Sequence, residues 1–159
     1  MAISLSPGDL APGFELESDS AGTIRLNDLR GKYVVLYFYP KDNTPGCTTE
    51  AYSFRDANSE IEAEGAVVLG VSTDSLRSHE TFRQKHRLPF TLLSDPDHRV
   101  AEAFGVWAEK KRYGRTYMGL ERTTFVIDPD GRLARVWEKV KPAGHAEEVL
   151  AWLRSQRSG

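Results

Sequence analysis

The sequence predicts an α/β fold in which helices pack on a mixed central sheet. Two runs of β-branched and aromatic residues, Tyr33 to Tyr39 and Ala66 to Val71, have the pattern of strands buried on both faces. The segment between them, Thr48 to Glu64, is rich in helix formers, lacks Pro and Gly, and is ended by Gly65. A strand, a helix and a second strand in this order indicate a parallel βαβ unit.

The alternation continues along the chain. Ser75 to Arg87 predicts a second helix ended by Pro89, Phe90 to Leu93 predicts a strand, and His98 to Phe104 predicts a short helix. One face of the second helix is expected to carry Leu76, His79, Phe82 and His86.

The C-terminal part predicts a hairpin and a final helix. Thr123 to Ile127 and Leu133 to Val140 flank the turn sequence Asp128-Pro129-Asp130-Gly131, so two antiparallel strands are expected to join the sheet. That turn begins like a calcium loop but lacks the later ligands, which favours the hairpin. A helix is predicted where apolar residues recur at helical spacing, at Ala146, Val149, Leu150 and Leu153.

Length and composition bound the function. The chain has 159 residues, which predicts one domain over residues 1–159, and its net charge of −2 gives no general attraction to nucleic acid or membranes. A single cysteine, Cys47, excludes an intramolecular disulfide and a multi-cysteine zinc site. No apolar run is long enough to span a membrane, and Met1 to Leu10 lacks the pattern of a signal peptide. We therefore expect a cytoplasmic protein.

Several familiar sites are not indicated. The dinucleotide fingerprint, the P-loop and the nucleophile-elbow serine do not occur, and no two histidines are spaced four residues apart as metal ligands on one helix face. The segment Lys110 to Tyr117 mixes basic and aromatic residues, which suggests phosphate binding. Because the whole chain is slightly acidic, a solvated loop is the preferred interpretation.

Cys47 is the strongest candidate for chemistry. It lies in a loop, Pro40 to Glu50, that leaves a buried strand and enters a helix. In the first turn of that helix, free backbone N–H groups and the positive end of the helix dipole favour a thiolate. The alternative is an inert core cysteine, but the Thr-Pro-Gly before it and the Thr-Thr-Glu after it are not typical of a core.

This loop resembles the active-site loop of peroxiredoxins, which are thiol peroxidases with a thioredoxin-like fold. Pro40, Thr44 and Cys47 fill the motif Pro-x-x-x-Thr-x-x-Cys, and the longer string is similar to the bacterioferritin-comigratory, or Q-type, subfamily. The resemblance implies a thioredoxin-like fold with a mixed central sheet, flanking helices and an N-terminal extension. It covers nearly the whole chain, including Pro12 to Phe14, Leu26 to Val35, Gly70 to Ser75 and Arg122 to Asp128.

The resemblance implies a role for each of five residues. Cys47 corresponds to the peroxidatic cysteine, Thr44 to the threonine that contacts the peroxide, and Pro40 to the shielding proline. Arg122 corresponds to the arginine that contacts sulfur and peroxide, and Glu50 to a glutamate that orients this arginine. Simpler interpretations are that Thr44 is a turn residue, Glu50 a partner of the helix dipole, and Arg122 a surface charge.

The chain departs from the subfamily in lacking a resolving cysteine. The position five residues after Cys47 is Tyr52, and the next helix, Ser75 to Arg87, has no cysteine. A sulfenic acid at Cys47 would therefore need an external thiol, from thioredoxin, glutaredoxin with glutathione, or a small thiol. Glu50 occupies the second position of a would-be Cys-x-x-Cys, which argues against a disulfide reductase.

These observations predict a cytoplasmic thiol peroxidase that reduces hydrogen peroxide and organic hydroperoxides by a one-cysteine mechanism. No metal, flavin or haem is expected, and the subfamily resemblance implies a monomer. The alternative is a redox sensor or holdase in which oxidation of Cys47 changes binding to a partner.

Overall fold

The computed structural model describes residues 5–158, apart from the side chains of Arg112, Arg157 and Ser158. The first four residues of the segment Met1 to Leu10, and Gly159 at the end of the predicted domain, lie outside the described residues. The strands are β1 (Glu15–Ser18), β2 (Thr23–Arg25), β3 (Tyr33–Phe38), β4 (Ala66–Ser72), β5 (Thr91–Ser94), β6 (Trp107–Arg112), β7 (Arg115–Leu120), β8 (Thr123–Ile127) and β9 (Leu133–Trp137). The α-helices are α1 (Pro45–Ala63), α2 (Leu76–His86), α3 (Arg99–Ala103) and α4 (His145–Ser158).

Seven strands form a mixed sheet in the order β2-β1-β5-β4-β3-β8-β9. β3, β4 and β5 are parallel, and β8 and β9 are antiparallel additions beside β3. The predicted βαβ unit and the predicted C-terminal hairpin are both confirmed. Helix α1 begins at Pro45, three residues earlier than predicted, because proline is well suited to the first position of a helix.

The sheet separates two apolar cores. Alternate side chains of β3 point to opposite faces, so Val35 and Tyr37 enter one core while Leu36 and Phe38 enter the other. The first core is completed by residues of α1, α2 and α4, and the second by the N-terminal segment and α3. Burial on both faces explains why β3 reads as an uninterrupted apolar run.

The prediction of a solvated loop from Lys110 to Tyr117 is wrong. β6 and β7 form a two-stranded antiparallel hairpin in which Arg112 pairs with Arg115. The two residues between them, Tyr113 and Gly114, both have positive φ angles, of 53° and 74°. Such a two-residue turn matches the right-handed twist of the flanking strands and closes a tight hairpin.

Within residues 5–158, no helix combines the length and the apolar character that a membrane span requires.

Candidate active site

Cys47 lies in the first turn of α1, just beyond the end of β3, and its side chain is only 2% exposed. Thr44 precedes the helix in an extended conformation, and its side chain makes no capping hydrogen bond. The first N–H groups of a helix have no partner within the helix, so those of Gly46 and Cys47 are available to an incoming oxygen. The positive end of the helix dipole acts on the same space and favours a thiolate.

Arg122 connects the thiol to a buried carboxylate. Its Nη2 lies 3.4 Å from the Cys47 Sγ, and its Nη1 donates to Glu50 Oε1 at 2.7 Å. The guanidinium reaches both because β8 pairs with β3 so that Thr123 stands opposite Phe38, which places Arg122 beside the end of β3. The Arg122 side chain remains 16% exposed, so it keeps some contact with solvent.

Gly46 makes this approach possible. A Cβ at position 46 would lie 3.0 Å from Nη2 of Arg122 and 3.5 Å from Cγ of Pro142. The main-chain carbonyl of Arg122 accepts a hydrogen bond from Val140 N at 3.0 Å, which fixes the arginine from the segment after β9. The main chain of Arg122 is therefore tied to this segment, while its guanidinium lies against the start of α1.

Glu50 stands one helical turn after Cys47 and is fully buried. Burial raises its pKa from the ordinary 4.5 to about 7, although the charge and hydrogen bond of Arg122 act in the opposite direction. Its Oε2 atom has no hydrogen-bond partner among residues 5–158, which is consistent with the cost of burying this carboxylate. For Glu50 desolvation thus outweighs the attraction of Arg122, whereas burial of the half-buried Arg122 is outweighed by Glu50 and Cys47, which raise the pKa of the guanidinium.

Thr44 and Pro40 are half-buried residues of the loop between β3 and α1. The Thr44 hydroxyl donates to the carbonyl of Lys41 at 2.9 Å, which leaves its oxygen lone pairs available as acceptors. Pro40 follows Tyr39, whose N–H donates to the Val71 carbonyl at the end of the sheet. The loop therefore starts from a rigid strand end.

Two buried polar groups near the site were not predicted from the sequence. The Tyr37 hydroxyl has no hydrogen-bond partner among residues 5–158, and its pKa is raised well above the ordinary value, first by burial and then by Glu50 and Cys47. His145 contacts Thr124 Oγ1 at 2.8 Å, and burial lowers its pKa. Tyr37 lies inside an apolar run and His145 follows a Gly at the start of the last helix, so nothing in either pattern predicts a buried polar group.

Asp42, Asp74 and His79 bring three possible metal-ligand atoms within 4.8 Å of one another. These atoms already have hydrogen-bond partners within the protein. Asp42 Oδ2 lies 2.8 Å from His79 Nδ1, and the other imidazole nitrogen, Nε2, lies 2.8 Å from the Leu93 carbonyl oxygen. Asp74 Oδ2 accepts from the main-chain N–H of Asp42 at 2.8 Å. The cluster is a closed hydrogen-bond network rather than an open set of metal ligands.

Tyr52, five residues after Cys47 at the position expected for a resolving cysteine, faces outward from α1. Its side chain is 37% exposed, and its hydroxyl lies 2.7 Å from Nδ1 of His86 on α2. The Arg55 guanidinium lies 4.3 Å from the centre of the Tyr52 ring. This surface contact joins α1 to α2 away from Cys47.

Comparison with known protein families gives one match over most of the chain. A model of the AhpC/TSA family matches residues 7–136. Peroxiredoxin Bcp of Bacillus subtilis is 51% identical over 152 residues, which make up 96% of this chain and 97% of that protein.

Solved structures show the same similarity in three dimensions. A mutant of PrxQ from Xylella fastidiosa superimposes with a TM-score of 0.93 at 39% identity, covering 98% of this chain and 99% of the other. The bacterioferritin comigratory protein of Xanthomonas campestris, whose structures concern its alkyl peroxide reduction activity, gives a TM-score of 0.87 at 39% identity with the same coverage. The expected thioredoxin-like fold is confirmed by these similarities.

We predict that Glu50→Gln changes how stability depends on pH. A carboxyl whose pKa is about 7 in the folded state and 4.5 in the unfolded state binds more protons when folded, so its contribution to stability falls as pH rises between these values. The wild type should lose up to about 3 kcal/mol relative to Glu50→Gln between pH 4.5 and pH 8. Urea unfolding of both proteins across this range measures the difference.

The matched control is Glu60→Gln, since Glu60 lies on the same helix, exposed and paired with Arg154 at the surface. The free energy of unfolding of Glu60→Gln should depend on pH in the same way as that of the wild type. Parallel curves for the wild type and Glu50→Gln would show that the Glu50 pKa is not raised.

Proposed function

The chain belongs to the AhpC/TSA family and is a peroxiredoxin, a thiol-dependent peroxidase, and from this premise we propose that Cys47 is the residue that reacts with hydrogen peroxide and organic hydroperoxides. The observation that carries the proposal is the position of the Arg122 guanidinium, which contacts both the Cys47 Sγ and the Glu50 carboxylate.

In the first step the Cys47 thiolate attacks the terminal oxygen of the hydroperoxide. The S–O bond forms as the O–O bond breaks, the sulfur is oxidised to a sulfenic acid, and the other oxygen leaves and takes a proton from solvent as water or an alcohol. The developing negative charge on the leaving oxygen needs donors already in place. The N–H groups of Gly46 and Cys47 and the Arg122 guanidinium, which already contacts the sulfur, are suited to this role.

Thr44 and Pro40 are assigned to substrate positioning. Because the Thr44 hydroxyl donates its hydrogen bond to the Lys41 carbonyl, its oxygen can accept a hydrogen bond from the hydroperoxide O–H and so orient the O–O bond toward the sulfur. Pro40 adds an apolar, non-donating surface at the start of the loop. Glu50 acts on Arg122, because its carboxylate fixes one branch of the guanidinium while the other faces Cys47.

In the second step an external thiol regenerates the enzyme. Cys47 is the only cysteine of the sequence, so the sulfenic acid condenses with a thiol from outside, releasing water and forming a mixed disulfide. A second thiol then displaces Cys47 and leaves as the oxidised disulfide. Thioredoxin, glutaredoxin with glutathione, and small thiols are the candidate reductants.

The proposal also covers the domain organisation, oligomeric state, location and cellular role of the protein. We expect the whole chain, residues 1–159, to act as one domain, as a monomer, in the cytoplasm and in an antioxidant role. The two cores shared across one sheet support a single folding unit. Light scattering of the purified protein measures the oligomeric state.

We predict that the wild type consumes many equivalents of peroxide per chain when a suitable thiol is supplied. Cys47→Ser should lower consumption to the rate seen without protein, because a serine hydroxyl is not ionised near neutral pH. Thermal unfolding of Cys47→Ser provides the control for folding. Consumption that stops after one equivalent with every thiol tested would indicate a sensor rather than a peroxidase.

The fate of the oxidised sulfur gives a second prediction. After one equivalent of peroxide without thiol, the intact mass of the chain should increase by one oxygen, and excess peroxide should add a second oxygen and stop turnover. A supplied thiol should appear as a covalent adduct and protect the enzyme. A dominant disulfide-linked dimer on non-reducing electrophoresis, with full turnover in bulk reductant alone, would contradict external resolution.

A further inference from the structure

A buried charged network lies beside the active site but takes no part in the chemistry described above. His79 on α2 is fully buried, and Asp42 in the active-site loop is 4% exposed. Asp42 Oδ2 lies 2.8 Å from His79 Nδ1 and also accepts from the Ser78 hydroxyl, while Oδ1 accepts from the Tyr39 hydroxyl at 2.6 Å. These contacts join the segment directly after β3, which forms the active-site loop, to α2.

The contacts of His79 determine its charge. Its Nε2 faces the Leu93 carbonyl, which only accepts, so this nitrogen carries a proton. Its Nδ1 faces the Asp42 carboxylate at 2.8 Å and lies 3.4 Å from the Tyr39 hydroxyl, and the carboxylate favours a proton on this nitrogen as well, which makes the ring an imidazolium. The Asp42 hydrogen bond and charge, the Leu93 carbonyl and Asp74 together raise the His79 pKa and outweigh the effect of burial.

The network acts directly on the loop that leads to Cys47. Asp42 is fixed twice, through its carboxylate and through its main-chain N–H, which donates to Asp74 Oδ2 at 2.8 Å. The next residue, Asn43, has a φ of 59°, a left-handed conformation that asparagine tolerates better than most non-glycine residues and that turns the chain toward α1. Thr44 follows and is the last residue before α1.

We propose that the ion pair between His79 and Asp42 is a positioning device that fixes the active-site loop where it enters α1, so that the Cys47 thiolate reacts with hydroperoxides that the loop orients and is protected from electrophiles that the loop does not orient. The proposal rests on the proposed function of Cys47. His79 and Asp42 are positioning residues, since they act through the loop and do not touch the sulfur.

Two rates measured on the same thiolate test this proposal. One is the rate constant for oxidation of Cys47 by hydrogen peroxide, and the other is the rate constant for alkylation of Cys47 by iodoacetamide. Both reactions require the thiolate, so their ratio is independent of the fraction of Cys47 that is ionised. The ratio reports how the loop positions one reagent and excludes the other.

In His79→Gln we expect the oxidation rate to fall and the alkylation rate to rise, so that the ratio drops at least tenfold at pH 7. Asp42→Asn keeps an acceptor for the Tyr39 hydroxyl while removing the charge, and the ratio should fall here as well. Because the two substitutions remove the same interaction, the ratio in the double variant should be little lower than the ratio in His79→Gln alone. His86→Gln, at the last residue of the same helix, where the imidazole contacts the Tyr52 hydroxyl and not Asp42, is the matched control and should keep the wild-type ratio within twofold.

The pH profile distinguishes positioning from simple loss of stability. A histidine whose pKa is raised in the folded state contributes its stabilisation at low pH and loses it as pH rises through the folded value. The wild-type ratio should therefore fall as pH rises, and the ratio in His79→Gln should be low and flat. Glu50 also titrates near neutral pH. If the ratio still falls with rising pH in His79→Gln, the fall comes from Glu50 and not from His79, and the proposal is overturned.

The remaining outcomes are equally informative. A lower melting temperature with an unchanged ratio, measured well below that temperature, would show a structural role only. Independent, multiplying effects of the two substitutions would show that the pair does not act as a unit. If His79→Gln does not fold, the ratio in Asp42→Asn and the pH profile of the wild type still test the positioning role of the pair. Failure of the wild type to react with peroxide, while Cys47 is alkylated normally, would instead refute the proposed function.

Discussion

The site depends on one constraint: a single guanidinium must reach a buried thiol and a buried carboxylate together. Arg122 does so because Cys47 and Glu50 stand one turn apart on α1 and therefore share a face. The register of β8 against β3 brings the arginine to that face, and the missing Cβ of Gly46 leaves room for the guanidinium. Sheet register, helix start and side-chain spacing must agree for the contact to exist.

Burying the polar groups around this contact costs free energy. Glu50 and the Tyr37 hydroxyl each leave an atom without a hydrogen-bond partner among residues 5–158, and burial raises the pKa of both. A buried ion pair of this kind is weak support for stability, because desolvation offsets the attraction between the charges. Its value in the proposed mechanism is that the guanidinium is already oriented before peroxide arrives, so no donor has to move as charge develops.

Much of the fold was predictable because its signals are local. The βαβ unit and the final hairpin follow from apolar runs and turn residues, and the Cys47 loop follows from a motif contiguous in sequence. The β6–β7 hairpin was missed because its two-residue turn uses Tyr113 with a positive φ, which its sequence does not indicate. The pair between Asp42 and His79 joins residues 37 positions apart, and only tertiary packing brings them together.

The most direct test of the account is the rate constant for oxidation of Cys47 by hydrogen peroxide in Arg122→Lys, measured by rapid mixing under single-turnover conditions. Lysine keeps the positive charge but lacks the planar fork that contacts the sulfur and Glu50 at once. The account predicts a fall of about 10²- to 10³-fold, as expected when an oriented donor to the transition state is lost. A rate constant within twofold of the wild type, in a variant that remains folded, would contradict it.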